Sequence, residues 1–253
     1  MTPHCAARRQ WLVRCTALGA GTLAGCGSWS LPRPGPMQLL RIDDTGPYAA
    51  PTLVVMLPGA FSRPQAFVDE GFVQALRDAR VHADVVVAGA TLEHYLEFRI
   101  HERLHDEVIG PARGRGVRRV WLLGVSLGGL FALSYASRHA THIDGVLLLA
   151  PYLGRRTLLA EIDAAGGPEA WAQARRPRSD DLPEHEVWQW LASRPAAPPL
   201  FLGYGRSDRF ADAHRRLAER LPAGHVQDLD GEHDWPVWRE LWRRFLQHGR
   251  VGA

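Results

Sequence analysis

Short, continuous apolar runs alternate with longer amphipathic stretches through most of this chain, and that rhythm leaves few folds open. Residues 52–57 (TLVVML), 83–88, 119–124 (RVWLLG), 146–150 and 200–204 are apolar at nearly every position. A strand wetted on one side alternates apolar and polar residues, so a run with no polar side has to be covered on both faces. Between these runs lie stretches with helical spacing: 64–80, with Phe67, Phe72, Leu76 and Ala79 near one face, then 93–109, 127–138, 211–221 and 236–248. A short last strand is expected at 225–229. Strand and helix in turn predict an α/β chain with a mostly parallel sheet and helices on both faces. Right-handed crossovers then gather the C-terminal strand ends, and any active site, at one edge.

The rhythm breaks between 152 and 199. That stretch holds helical pieces, several prolines and many arginines, but no strand signal. Trp171, Trp188 and Trp190, with Leu158 and Leu159, either line a pocket there or pack the segment onto the core. Arg155, Arg156, Arg175, Arg176 and Arg178 fit an anionic substrate, a lipid surface or a solvated face equally well.

The sharpest motif is Gly124-Val125-Ser126-Leu127-Gly128-Gly129, set between a strand signal and a helix signal. A serine in so tight a turn presents its hydroxyl clear of the sheet. The residues two before and two after it, Gly124 and Gly128, have to be small because strand and helix approach closely there. The N–H groups at the helix start are placed to stabilise a developing oxyanion.

On this motif and its setting, the chain resembles the α/β-hydrolase superfamily over about 52–248, with 152–199 resembling that superfamily's helical cap insertion. The resemblance implies a nucleophile, an acid and a base in the order Ser…Asp…His. Asp208 lies in Gly205-Arg206-Ser207-Asp208, just past the strand 200–204, where the superfamily commonly places its acid; Asp212 is the nearby competitor. His233 lies in the loop before the terminal helix, where the superfamily places its base, and an imidazole's ordinary pKa suits that work. The implied oxyanion hole uses the N–H of Leu127 and a second from the loop Pro58-Gly59-Ala60-Phe61. Many relatives have His-Gly where this chain has Pro58-Gly59; proline has no N–H, so the donor falls to Ala60 or Phe61. The expected enzyme is a serine hydrolase acting on esters or related small acyl compounds through an acyl-enzyme, with no cofactor and no metal.

Two alternatives come from other features. His101-Glu102-Arg103-Leu104-His105 has the H-E-x-x-H spacing of zinc metalloproteases. Arg103 inside it and the lack of a third downstream ligand count against that reading. The other alternative is a non-catalytic binding lipoprotein of the envelope.

The lipoprotein expectation rests on the N-terminus. Arg8 and Arg9 precede a mildly apolar stretch too short to span a bilayer, as in an export signal, and the pair resembles a twin-arginine signal. Leu23-Ala24-Gly25-Cys26 resembles the lipobox of bacterial lipoproteins. The expected organisation is a signal peptide at 1–25, lipidated Cys26 with a Pro-rich tether to 36, and a hydrolase domain at 37–253. It implies a bacterial envelope location, lipid-anchored or periplasmic. The net charge of +3 is matched by Arg8, Arg9 and Arg14 in a segment without acids, so it does not indicate a nucleic-acid partner. The three cysteines, Cys5, Cys15 and Cys26, all precede the domain, which excludes a disulfide framework within it.

Overall fold

The computed structural model describes residues 35–43, 50–97, 99–178, 181–193 and 198–251. The expected signal at 1–25, Cys26 and most of the tether lie outside them. Seven strands form one sheet: β1 (Gln38–Ile42), β2 (Thr52–Leu57), β3 (Ala83–Gly89), β4 (Arg119–Val125), β5 (Gly145–Leu149), β6 (Leu200–Gly205) and β7 (Val226–Leu229). Their order is β1-β3-β2-β4-β5-β6-β7. β1 runs antiparallel to β3 at one edge, and every other pairing is parallel. This is the α/β-hydrolase fold. Among the described residues, no helix is long and apolar enough to cross a membrane.

Successive side chains of a strand point to opposite faces, so each apolar run feeds two cores. On β2, Leu53, Val55 and Leu57 enter one core and Val54 and Met56 the other. On β4, Val120 and Leu122 oppose Trp121, Leu123 and Val125. The first core is closed by the helical stretch 92–114 and by the helix Leu127–His139. That helix is buried around its whole circumference as far as Ala136, as expected for one with neighbours on every side.

The second core is closed by the helices Ala66–Asp69 and Phe72–Asp78 and by the terminal helix Trp235–Gln247. The terminal helix buries Val237, Trp238, Leu241, Trp242, Phe245 and Leu246 along one stripe, and each such side chain contributes about 1.5–3 kcal/mol. The side chain of Asp234 caps its start, accepting the Val237 N–H at 3.2 Å. Trp242 Nε1 donates to the Phe72 carbonyl at 2.9 Å, tying two helices of this face together.

The insertion at 152–199 forms the helices Arg156–Ala164, Pro168–Ala174 and Pro183–Ser193. Trp171 and Trp188 are buried in the first core with Leu158, Ile162, Val187 and Leu191. Trp188 Nε1 also donates to the Leu153 carbonyl at 2.7 Å. These tryptophans are packing residues, whereas Leu159 lines a cleft described below.

One strand goes beyond the sequence expectations and two helices need correction. β1 carries no continuous apolar run and was not anticipated. The stretch 64–80 is two short helices, with Gly71 at φ 76° where they part. The stretch 93–109 is not one helix: Leu92–Leu96 and Ile100–Leu104 are separate, a π turn occupies His105–Ile109, and a further helix spans Gly110–Gly114. The widened turn stops just before Pro111, which has no N–H to continue the ladder.

Candidate active site

β4 ends at Val125 and the next helix starts at Leu127, so one residue makes the whole turn. Ser126 makes it at φ 51° and ψ −116°, a backbone state that costs a non-glycine residue on the order of 1–3 kcal/mol. A Cβ on Gly124 would meet the Gly128 carbonyl oxygen at 2.4 Å, and Gly128 is enclosed by the carbonyls of Leu57 and Pro58. The turn is held from outside. The Ser126 N–H donates to the Leu149 carbonyl at 3.0 Å, and the Ser126 carbonyl accepts from the N–H of Tyr152 at 2.8 Å.

The structure brings Ser126, His233 and Asp208 together. His233 Nε2 lies 3.0 Å from Ser126 Oγ, and His233 Nδ1 lies 2.7 Å from Asp208 Oδ2. Nδ1 therefore carries the proton donated to the carboxylate, and Nε2 is the acceptor facing the serine hydroxyl. The second carboxylate oxygen of Asp208 accepts the Phe210 N–H at 2.8 Å. Burial pushes the Asp208 carboxyl up, but the hydrogen bonds from His233 and Phe210 outweigh it and hold the group below its ordinary 3.8. Asp212, the competitor, points away: its side chain is 78% exposed and pairs with Arg215.

The loops carrying Asp208 and His233 press on each other through bare backbone. Gly205, at the end of β6, faces Gly231 so closely that a Cβ there would sit 2.3 Å from the Gly231 carbonyl oxygen. That carbonyl accepts the Ser207 N–H at 3.0 Å. The His233 ring is then held edge-on between Phe210 and Trp238, with centroids 5.2 and 5.0 Å away.

One buried histidine beside this constellation escaped the sequence reading. His214, on the helix Ala211–Ala218, is fully buried, and its Nε2 donates to the Pro151 carbonyl at 2.9 Å. Burial pushes its pKa down to about 4. Its position three residues past Ala211 and three before Leu217, on the inward stripe of that helix, was the available signal.

The model of the esterase family, described as "Putative esterase", matches residues 67–246. That is more than two-thirds of the chain, and it includes Ser126, Asp208 and His233. The chain belongs to this esterase family. No curated protein matches it. Among solved structures, the esterase is similar in fold to S-formylglutathione hydrolase (FrmB) of Staphylococcus aureus, at 13% identity and a TM-score of 0.58 over 86% of this chain and 98% of the other. It is similar to the Staphylococcus aureus fluorophosphonate-binding serine hydrolase FphF, at 13% identity and a TM-score of 0.58 over 87% and 100%. A monoacylglycerol lipase of Paleococcus ferrophilus matches at 17% identity and a TM-score of 0.56 over 86% and 99%.

Around the serine, the esterase offers backbone donors and a charged cleft. Leu127 is the first residue of its helix, where N–H groups have no partner within the helix. Ala60 is half-buried against the first core, while Phe61 is 95% exposed. The loop is pinned by the Ser62 N–H donating to the Gly59 carbonyl at 3.0 Å. Beside the triad opens a cleft of about 540 Å³, lined among others by Tyr152, Arg155, Arg156, Leu159, Arg209 and Phe210. Phe210 joins it to the His233 ring. The two carboxylates on its wall are already matched, Asp163 by Arg216 and Asp212 by Arg215. Arg155, Arg156 and Arg209 therefore leave the cleft positive.

Among the described residues, the two histidines of the H-E-x-x-H motif are not gathered into one metal-ligand cluster. Glu102 forms an ion pair with Arg99. Among the described residues, the metal-ligating side chains that lie close together are His105, His139 and His142, without His101. Membership of an esterase family also removes the non-catalytic alternative.

Proposed function

We propose that this serine hydrolase cleaves carboxylic esters by acyl transfer through Ser126, His233 and Asp208. The observation that carries the proposal is the unbroken chain of contacts from Ser126 Oγ through both nitrogens of His233 to the buried Asp208. Ser126 Oγ attacks the ester carbonyl and its proton passes to His233 Nε2. The tetrahedral oxyanion is met by the N–H of Leu127 and by that of Ala60 or Phe61. As the intermediate collapses, His233 returns the proton to the departing alkoxide, leaving an acyl group on Ser126. Water then attacks the acyl-enzyme, giving its proton to His233, and Ser126 departs with that proton as the acid is released. Asp208 stays ionised and holds the imidazolium.

The positive cleft favours small esters with an anionic substituent on the side that enters it. The fold-level likeness to a formylglutathione hydrolase and a lipase fits acyl chemistry and leaves the acyl group open.

Labelling with a fluorophosphonate probe tests the nucleophile. The wild type should label and Ser126→Ala should not, with activity on p-nitrophenyl acetate falling by roughly 10⁴-fold or more. Unlabelled, folded wild type, or labelling that survives in Ser126→Ala, would overturn the assignment.

We also propose that residues 1–25 are removed on export and that Cys26 carries the lipid, so the hydrolase works tethered to the bacterial envelope. The Leu23-Ala24-Gly25-Cys26 sequence supports this. Labelled palmitate should enter the wild type and not Cys26→Ala, and a wild type that takes up none overturns the tether.

A further inference from the structure

The helix that begins beside Ser126 ends in a group of imidazoles. His139 closes the helix, His142 ends the 3-10 turn Ala140–His142, and His105 opens the π turn His105–Ile109. One ring nitrogen of each lies within 4.8 Å of those of the other two. The ring centroids form a nearly equilateral triangle with sides of 5.1, 5.2 and 5.4 Å. Three imidazoles on a tetrahedral zinc, with Zn–N about 2.05 Å and each centroid roughly 1.1 Å beyond its nitrogen, stand about 5.2 Å apart. The rings already have that spacing, and a tetrahedral ion would draw one nitrogen of each to roughly 3.3 Å from the others.

We propose that His105, His139 and His142 form a binding site for a divalent transition cation of the zinc type. The local chemistry supports a ligand rather than simple packing. His139 Nε2 is buried and has no hydrogen-bond partner among the described residues, an uncommon state for a polar atom. Tyr135 Oη lies 3.2 Å from His105 Nδ1 and 3.5 Å from His142 Nδ1. A hydroxyl on one nitrogen of a ligating histidine fixes the ring and its tautomer, leaving the other nitrogen for the ion. An all-imidazole set suits zinc, copper or nickel and not calcium or magnesium, which take oxygen ligands. All three histidines are half-buried, so water can take the fourth position.

The site is separate from the ester chemistry. The helix Leu127–His139 spans about 20 Å at ~1.5 Å per residue, which sets the ion a full helix away from Ser126. Its effect is to fasten the far end of the nucleophile helix to the segment 105–109. The H-E-x-x-H motif contributes only its second histidine. The other two ligands come from His139-Ala140-Thr141-His142, thirty-odd residues downstream.

The test titrates zinc chloride into the purified full chain, free of any histidine tag, and follows binding by calorimetry and by melting temperature. One equivalent should bind, and saturation should raise the melting temperature by about 5 °C or more. The double variant His139→Asn/His142→Asn should lose about 100-fold or more in affinity and lose the thermal shift. It should keep its hydrolytic activity without metal, and Ser126→Ala should bind zinc as the wild type does. No saturable binding, binding unchanged in the double variant, or binding lost in Ser126→Ala each overturns the site. A second measurement needs no variant: zinc should protect His105, His139 and His142, and not His248, from diethylpyrocarbonate as mapped by mass spectrometry. Equal modification with and without zinc overturns the proposal.

Discussion

A Cβ carried by Gly128 would sit 2.0 Å from the carbonyl oxygen of Leu57, well inside any tolerable contact. The atom in the way belongs to the backbone of a central strand, so no side chain can swing aside. Gly128→Ala should therefore cost about 3 kcal/mol or more, or prevent folding altogether. Urea denaturation measures it, and a variant within 1 kcal/mol of wild type would show that the helix can retreat from the sheet.

The proposed triad takes Asp208 rather than Asp212 as its acid, on burial and on the bond to His233 Nδ1. Asp208→Asn keeps the shape but offers an amide where the imidazole N–H needs an acceptor, which favours the wrong tautomer. The expected loss is roughly 10⁴-fold in kcat. Asp212→Asn, on an exposed side chain, should leave kcat within about twofold. Equal effects at the two positions would remove Asp208 from the proposed triad.

His214 ties the stability of the fold to pH. Its pKa is about 4 when folded, against an ordinary 6.5, so below pH 6.5 the unfolded chain takes up a proton that the folded one refuses. Stability from this group is complete above pH 6.5, falls as pH drops towards about 4, and falls no further below that. The shift corresponds to about 3 kcal/mol at most. His214→Gln keeps an N–H for the Pro151 carbonyl and cannot titrate. Its urea midpoint should be flatter than that of the wild type between pH 6.5 and 4; parallel curves would contradict the burial of a neutral ring.

The charge of the cleft predicts a preference among substrates. With Arg155→Ala/Arg156→Ala, KM for an aryl ester bearing a free carboxylate should rise severalfold, up to about tenfold. The matched neutral ester should be unaffected, and kcat on both should hold. A rise in KM for both esters would mean that the two arginines shape the cleft without reading charge.

Much of this architecture was legible because parallel strands covered on both faces have to be apolar throughout. β2, β4, β5 and β6 announce themselves that way. β1 does not: its residues are exposed or half-buried at the sheet edge, and a half-wet edge strand of five residues leaves a weak pattern. Ser126 stands out in the sequence through its glycines and His233 through its place after the last strand, and the fold brings the two side chains within 3.0 Å of each other. Asp208 and Asp212 could be ranked by position, but only burial and the bond to His233 separate them. His214 was hidden because a histidine on the inward stripe of a short helix looks like any other residue there. The imidazole triangle was hidden for a different reason. His105 and His139 meet only because the segment 100–109 lies along the nucleophile helix, and no local spacing encodes that.

The contact between Gly205 and Gly231 has a consequence for redesign. The loop bearing Asp208 and the loop bearing His233 fit each other backbone to backbone, so neither is an independent module. A graft of residues 203–212 from another hydrolase, brought in alone, would arrive shaped for a different counterpart. Transplanted together with residues 226–237, the two loops carry their mutual fit with them, and that pair is the smallest exchangeable unit of this site.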